Sequence, residues 1–322
     1  MSASRIKALE LDASSYARHA LHADDRSWVE KNCYVDIWIE LVHAIRCEPF
    51  AVMPFVIALD FEGDQWTFFK PPHDELRDLF GIDVQEMNCW RPLLDHAREH
   101  LAAGKVISSE ADAWWLPDTS GTDYRRQHTK STIVISDVDF EARRLGYFHN
   151  AGYFMLDGED FDKTFEVREM AFFAELVRLD RVVRRPEAEL RAMSGRLLAR
   201  HLARRPLTNP VARFAERFAK ELPELQAKGL AHYHAWAFAT VRQLGAAAEC
   251  AAMYLRWLSG GDGGQFAPAA ASYEVISSGA KAFILKAARA VNAKKPMDAR
   301  ATMEDWSAAW EKAMTTLENR AD

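Results

Sequence analysis

The chain has 322 residues, enough for one large domain or two ordinary ones. With 49% hydrophobic and 27% charged residues it has the composition of a globular protein, and its formal charge of −6 argues against wholesale nucleic-acid binding. No apolar run reaches the roughly 18 residues a membrane span needs, and Met1–Lys7 lacks the apolar core of a secretory signal, so a cytoplasmic location with no membrane partner is expected. Cys33, Cys47, Cys89 and Cys250 lie far apart with no C-x-x-C pair, which is neither a disulfide framework nor a zinc spacing.

In chain order, residues 1–30 are mixed and are expected to wrap the surface. Asn32 is a good N-cap, and the apolar positions Val35, Trp38, Val42 and Ile45 then fall on one stripe of a helix, predicted over 32–45. Ala51–Asp60 and Asp64–Lys70 read as two strands around Phe-Glu-Gly-Asp, with Pro71-Pro72 closing the second. A helix over 74–80, a strand over 82–87 and a helix over 91–103 stopped by Gly104 follow. Short strands are expected at 105–109 and 113–116, then a turn-rich loop at 117–122. Ser131–Ser136 and Leu145–Phe148 flank a polar tip and form a hairpin, with a further strand at 153–156. From about Phe161 the periodicity is helical only, broken at Arg185-Pro186, Arg205-Pro206, Gly260–Gly264 and Lys295-Pro296. The fold class is therefore α+β: residues 1–160 form a papain-like cysteine-peptidase-type half, a helix plus an antiparallel sheet that would carry catalysis, and residues 161–322 form an all-α helical half.

That layout places Cys33 at the first position of a helix, where unpaired N–H groups and the macrodipole favour a thiolate. A cysteine nucleophile needs a base within hydrogen-bond reach and a third group to orient it. A symmetric hairpin centred on residue 139 sets His128 opposite Asn150, while a one-residue slip brings in His149 instead. Cysteine on an early helix, histidine on one strand and asparagine on the next is the papain-like order. Each residue also has a plainer reading: Cys33 as a buried thiol, His128 as a solvated strand end, Asn150-Ala-Gly152 as a turn. Asp112, Asp118, Thr119 and Thr122 surround the loop before His128, and with His149 they line a candidate substrate pocket or simply bond the loop to itself. No ligand spacing supports a metal at His128, His149 and Asp118. From Arg181 to Arg205 there are eight Arg against two Glu, a local balance of +6. Within this stretch Arg184, Arg185, Arg196 and Arg200 are candidates for docking an acidic partner, the alternative being a solvated helix face.

Asn-Cys-Tyr-Val-Asp-Ile-Trp-Ile-Glu, Asp-Gln-Trp-Thr-Phe-Phe-Lys-Pro-Pro, Leu-Pro-Asp-Thr-Ser-Gly-Thr-Asp-Tyr-Arg-Arg-Gln-His-Thr-Lys and Gly-Tyr-Phe-His-Asn-Ala-Gly-Tyr resemble a bacterial family of unknown function whose members accompany amino acid:carrier-protein ligases. More remotely, Cys33, the Asp112–Pro117 loop, His128 and the hairpin resemble the butirosin biosynthesis protein H family, papain-like acyltransferases that take an acyl group from a carrier-protein thioester. The resemblance implies Cys33 as nucleophile, His128 as base and Asn150 as orienter, although Asp is commoner than Asn at the last position in those remote relatives. It also implies an acyl or aminoacyl carrier protein as partner, a carrier-protein ligase as a second partner, and a substrate held on phosphopantetheine with no cofactor bound. No counterpart of an oxyanion-hole Gln precedes Cys33; Ser27 and the Cys33 N–H are the alternatives. Hydrolysis by a thioesterase or peptidase on the same fold, or non-catalytic binding of an aminoacyl carrier, stay open beside transfer.

Overall fold

The computed structural model describes residues 5–166, 173–261 and 264–320. Its elements in chain order are β1 (Arg5–Lys7), α1 (Cys33–Ala44), β2 (Phe61–Glu62), β3 (Gln65–Trp66), α2 (His73–Phe80), β4 (Asp83–Glu86), α3 (Leu93–Ala102), β5 (Val106–Asp112) and β6 (Lys130–Asp139). β7 (Arg144–His149), β8 (Gly152–Asp157), α4 (Gly158–Thr164) and β9 (Ala174–Arg178) follow. The rest is helical: α5 (Glu187–Leu202), α6 (Pro210–Lys228), α7 (Leu230–Ala239), α8 (Val241–Leu258), α9 (Ala267–Ala293) and α10 (Arg300–Glu318). The class is α+β, an antiparallel sheet with helices followed by an all-helical region.

Two compact units divide the chain. The first holds Met1–Ala23, Asn32–Pro49 and Pro72–Arg185. Its antiparallel sheet runs β4-β9-β5-β6-β7-β8, with β1 paired to the far end of β6. Asn32 caps α1 as its residue type dictates, its side chain accepting from the N–H groups of Tyr34 (3.1 Å) and Val35 (2.8 Å). The helix is buried on more than the single stripe expected: every residue from Tyr34 to Val42 is buried, including Asp36 and Glu40. Those two carboxylates, one turn apart, clasp the buried ring of His22, with Asp36 Oδ1 at 3.0 Å from Nε2 and Glu40 Oε1 against Nδ1. Residues before Asn32 are therefore not a mere surface wrap, since Leu21 and His22 are fully buried.

Several expectations are corrected. Pro49–Ala58 is a 3-10 helix with Pro54 inside it, and only Phe61–Glu62 and Gln65–Trp66 pair as strands. A continuous apolar run does not distinguish strand from buried helix, and Pro54 removes a ladder donor. Ala113–Trp115 is a 3-10 turn opened by the Asp112 side chain rather than a strand. β9 lies beyond residue 160, where only helices were expected; it pairs with both β4 and β5, while residues 167–172 lie outside the described residues.

The hairpin register is also corrected. Its tip is Phe140–Arg143, because Asp139 pairs with Arg144, and a bulge between Ile135 and Asp137 shifts the pairing to Val134 with Phe148. Continuing that register by two residues sets Thr132, not His128, across from Asn150. The cause is Asp137, which reads as a polar tip residue yet is buried inside β6. There Arg5 neutralises it through bonds of 3.1 and 2.5 Å.

The second unit holds Asp24–Lys31, Phe50–Pro71 and Pro186–Asp322. α8, with Ala246, Ala247 and Ala251 buried, packs closely on α9, and Gly245 lets the ring of Trp28 and Ala280 approach the helix. The Glu249 carboxylate receives the N–H groups of Ser27 (2.8 Å) and Trp28 (3.1 Å) and the buried Lys31 ammonium (3.0 Å). Within the expected Gly260–Gly264 linker, Asp262 and Gly263 lie outside the described residues.

Candidate active site

Pairing in β5, β6 and β9 decides which side chains share a face. Ser108 is opposite Val134 and Glu175, Glu110 is opposite Thr132, and Asp112 is opposite Lys130. Helix α1 lies on this face, for the Tyr34 hydroxyl bonds to Glu175 (2.9 and 3.0 Å) and Cys33 Sγ sits 3.9 Å from Thr132 Oγ1. Burial and the Glu175 charge hold the Tyr34 phenol above its ordinary pKa, so it stays a hydrogen-bond donor, with His73 at 2.7 Å on the same oxygen. Cys33 is partly exposed at the first position of the helix, as its spacing from Asn32 predicts.

His128 precedes β6 at the same face. Its Nδ1 lies 2.7 Å from Asp112 Oδ2, and its ring stacks on Trp114 with centroids 4.6 Å apart and planes at 14°. A buried carboxylate on Nδ1 fixes the tautomer that leaves Nε2 able to take a proton. The side chain is 68% exposed, whereas Asp112 is 4% exposed. The loop before it is braced by Asp123, which accepts from Gln127 (2.7 Å) and Thr129 (2.6 Å). Burial works against the Asp123 charge, but these bonds and one from Thr122 hold its carboxyl below the usual range.

Cys33 and His128 therefore share a sheet face without touching. Four residues of extended chain separate His128 from Thr132, about 13 Å between Cα atoms. The residue that holds the imidazole is Asp112, which the sequence marks only as pocket-lining. Asn150 instead forms the tight turn between β7 and β8 at φ 44, the left-handed region that Asn tolerates, and makes no side-chain hydrogen bond among the described residues.

The remaining candidates belong to other structures. His149 faces the opposite side of the sheet, between Ser131 Oγ (2.6 Å from Nε2) and Asp118 Oδ2 (2.5 Å from Nδ1), and the Tyr147 hydroxyl bonds the other Asp118 oxygen at 2.5 Å. This Ser–His–Asp chain has the connectivity of a hydrolase triad, but its side chains are sealed, with His149 at 1% exposure. Thr119 turns its hydroxyl to the carbonyls of Ala113 and Leu116, and Thr122 bonds the carbonyl of Thr119, so both close their own loop. Arg184 donates to the carbonyl of Ile45 at the end of α1. Arg185 donates to the carbonyls of Leu79 and Asp78 at the end of α2, where cations complement the macrodipole. Arg196 and Arg200, one turn apart on α5, are exposed. Among the described residues no group of three or more His, Cys, Asp or Glu is arranged to hold a metal ion, and no helix is long and apolar enough to cross a membrane.

An α+β sheet unit carrying Cys33 and the His128–Asp112 pair on one face, followed by a helical unit, defines the architecture. The chain belongs to the DUF1839 family: the DUF1839 N-terminal domain matches residues 17–185 and the DUF1839 C-terminal domain matches residues 187–319, a family of unknown function. No curated protein matches the chain.

Proposed function

We propose that the protein is a papain-like, cysteine-dependent acyl or aminoacyl transferase working on a carrier-protein thioester, with Cys33 as nucleophile, His128 as general base and Asp112 as the group that orients it. The observation carrying this reading is a partly exposed thiol at a capped helix start on the sheet face where a buried carboxylate holds an exposed imidazole.

His128 takes the thiol proton as the sulfur attacks the thioester carbonyl. The acyl group passes to sulfur, and the phosphopantetheine sulfur leaves with that proton. An acceptor amine then displaces Cys33, with His128 again removing the proton, and the Cys33 N–H serves as the oxyanion donor, since Asn32 takes the N–H groups of Tyr34 and Val35. The exposed Arg196 and Arg200 offer cations to an acidic carrier protein, supplied in turn by an amino acid:carrier-protein ligase. Incubation with an aminoacylated carrier should give a mass adduct on the intact chain. Cys33→Ser should remove the adduct and leave the melting temperature nearly unchanged. Retained adduct in Cys33→Ser, or none in the native chain, refutes the assignment.

A second reading rests on one contact: the sulfur's polar neighbour is the Thr132 hydroxyl, not an imidazole. In that reading the unit binds an aminoacyl carrier without reacting, and the same experiment gives a stable complex of the two proteins with no adduct.

A further inference from the structure

Beside α3 and the edge strand β4 lies an open depression of about 450 Å³, a volume within the roughly 300–1,000 Å³ range of small-ligand sites. It is lined by residues that the transfer site does not use, among them Glu86, Trp90, Arg91, His96 and His100. Leu176, also in its wall, alternates along β9 with Glu175, so its side chain belongs to the sheet face opposite α1.

Three features point to a ligand. His96 is only 6% exposed, yet its Nε2 has no hydrogen-bond partner, and the Arg91 Nε is buried and unpartnered as well. Buried polar atoms are nearly always paired, so a ring nitrogen and a guanidinium nitrogen left open at one cavity mark a missing partner. Trp90 is 79% exposed, an indole face left in water beside the cavity with the Arg91 guanidinium 5.1 Å from its ring. The rings of His96 and His100 lie parallel, 6.2 Å apart at 6°. Burial first, and then the charges of Lys105, His96 and Arg91, hold His100 below its ordinary pKa, although Glu99 opposes them. The Glu99 carboxylate is already paired with Arg91 at 3.0 Å, while Gln85, which pairs with Leu176, and Asn88 line the other rim.

We infer that this depression binds a small planar heteroaromatic anion of mononucleotide size, its ring stacked on Trp90 and its anionic group at Arg91 and His96. Stacking on an exposed indole is tolerant of ring identity, while the open Arg91 and His96 nitrogens favour an anionic acceptor.

The test is calorimetric titration of the full chain with AMP, GMP, CMP and UMP, and separately with adenosine, inorganic phosphate and Zn²⁺. At least one monophosphate should saturate with a dissociation constant below about 1 mM, and adenosine and phosphate should each bind at least ~10-fold more weakly. Trp90→Ala, at an exposed position, should weaken that monophosphate at least ~10-fold with an unchanged melting temperature, as should His96→Asn; if His96→Asn does not fold, Trp90→Ala decides. Absence of saturable binding by all four monophosphates, or binding unchanged in Trp90→Ala, overturns the inference. Zn²⁺ binding lost in His96→Asn without nucleotide binding overturns it in favour of a two-histidine metal site.

Discussion

Replacing His22 by Leu should be among the most damaging single changes in the sheet unit. The ring is fully buried between Asp36 and Glu40, both of zero exposure, and Glu40 also accepts from the Tyr16 hydroxyl (2.6 Å) and the His19 N–H (3.1 Å). Burial alone would push the His22 ring down, yet Asp36 and Glu40 hold its pKa above the ordinary 6.5. Burial would push Glu40 up, yet bonds and charge from His22, helped by Tyr16 and His19, hold it below 4.5. Removing one partner of a buried ionic cluster costs about 3–5 kcal/mol because the other charges remain buried without it. The pH dependence follows from the two directions. The raised His22 contributes fully below 6.5 and loses its contribution as pH climbs through its folded value. The lowered Glu40 contributes fully above 4.5 and loses its contribution as pH falls through its folded value. Urea unfolding of the native chain and of His22→Leu should therefore differ most between pH 4.5 and 6.5 and converge on either side. A difference under about 1 kcal/mol at pH 6, or one flat across pH 4 to 9, would refute the charged-cluster reading.

Asp112→Asn should lower the rate of acyl-adduct formation by about 10²–10⁴, because an amide facing Nδ1 can donate and so favours the wrong imidazole tautomer; a rate within a factor of three would remove Asp112 from the mechanism. In the helical unit, Glu249→Leu should cost about 3–5 kcal/mol by taking the carboxylate from a buried ammonium and two N–H groups. Lys31→Met should cost distinctly less, since Glu249 keeps both backbone donors; equal losses in urea unfolding would contradict this asymmetry. Gly245→Ala gains about 1 kcal/mol of helix propensity, but its Cβ would stand 2.4 Å from Trp28 Cζ2 and 2.9 Å from Ala280 Cβ. Overpacking of about 1–3 kcal/mol should win, so a raised melting temperature would show that the Trp28 ring yields freely.

What the sequence makes legible follows from how far each determinant reaches. The start of α1 is local chemistry: an Asn accepts from N–H groups two and three residues on, so the place of Cys33 can be read from Asn32 alone. Gly81 and Gly104 close α2 and α3 at positive φ for the same local reason. The partner of His128 is of another kind, because it depends on which strand residues come side by side. Asp112 reaches it through the pairing of β5 with β6, a register that no spacing near residue 128 announces.

The contrast between Asp112 and Asn150 sharpens that point. A hairpin centred on residue 139 would bring Asn150 to the imidazole, and local polarity places the tip there. The strand instead runs on through Asp137, because Arg5, 132 residues earlier, supplies the countercharge that makes a buried carboxylate tolerable. Once Asp137 is inside β6 the tip moves to Phe140–Arg143, the register carries Asn150 toward Thr132, and His128 is left to the neighbouring strand on its other side. One distant ion pair thus decides which carboxyl or amide side chain meets the His128 ring, which is why the place of Cys33 can be read from the sequence and the partner of His128 cannot.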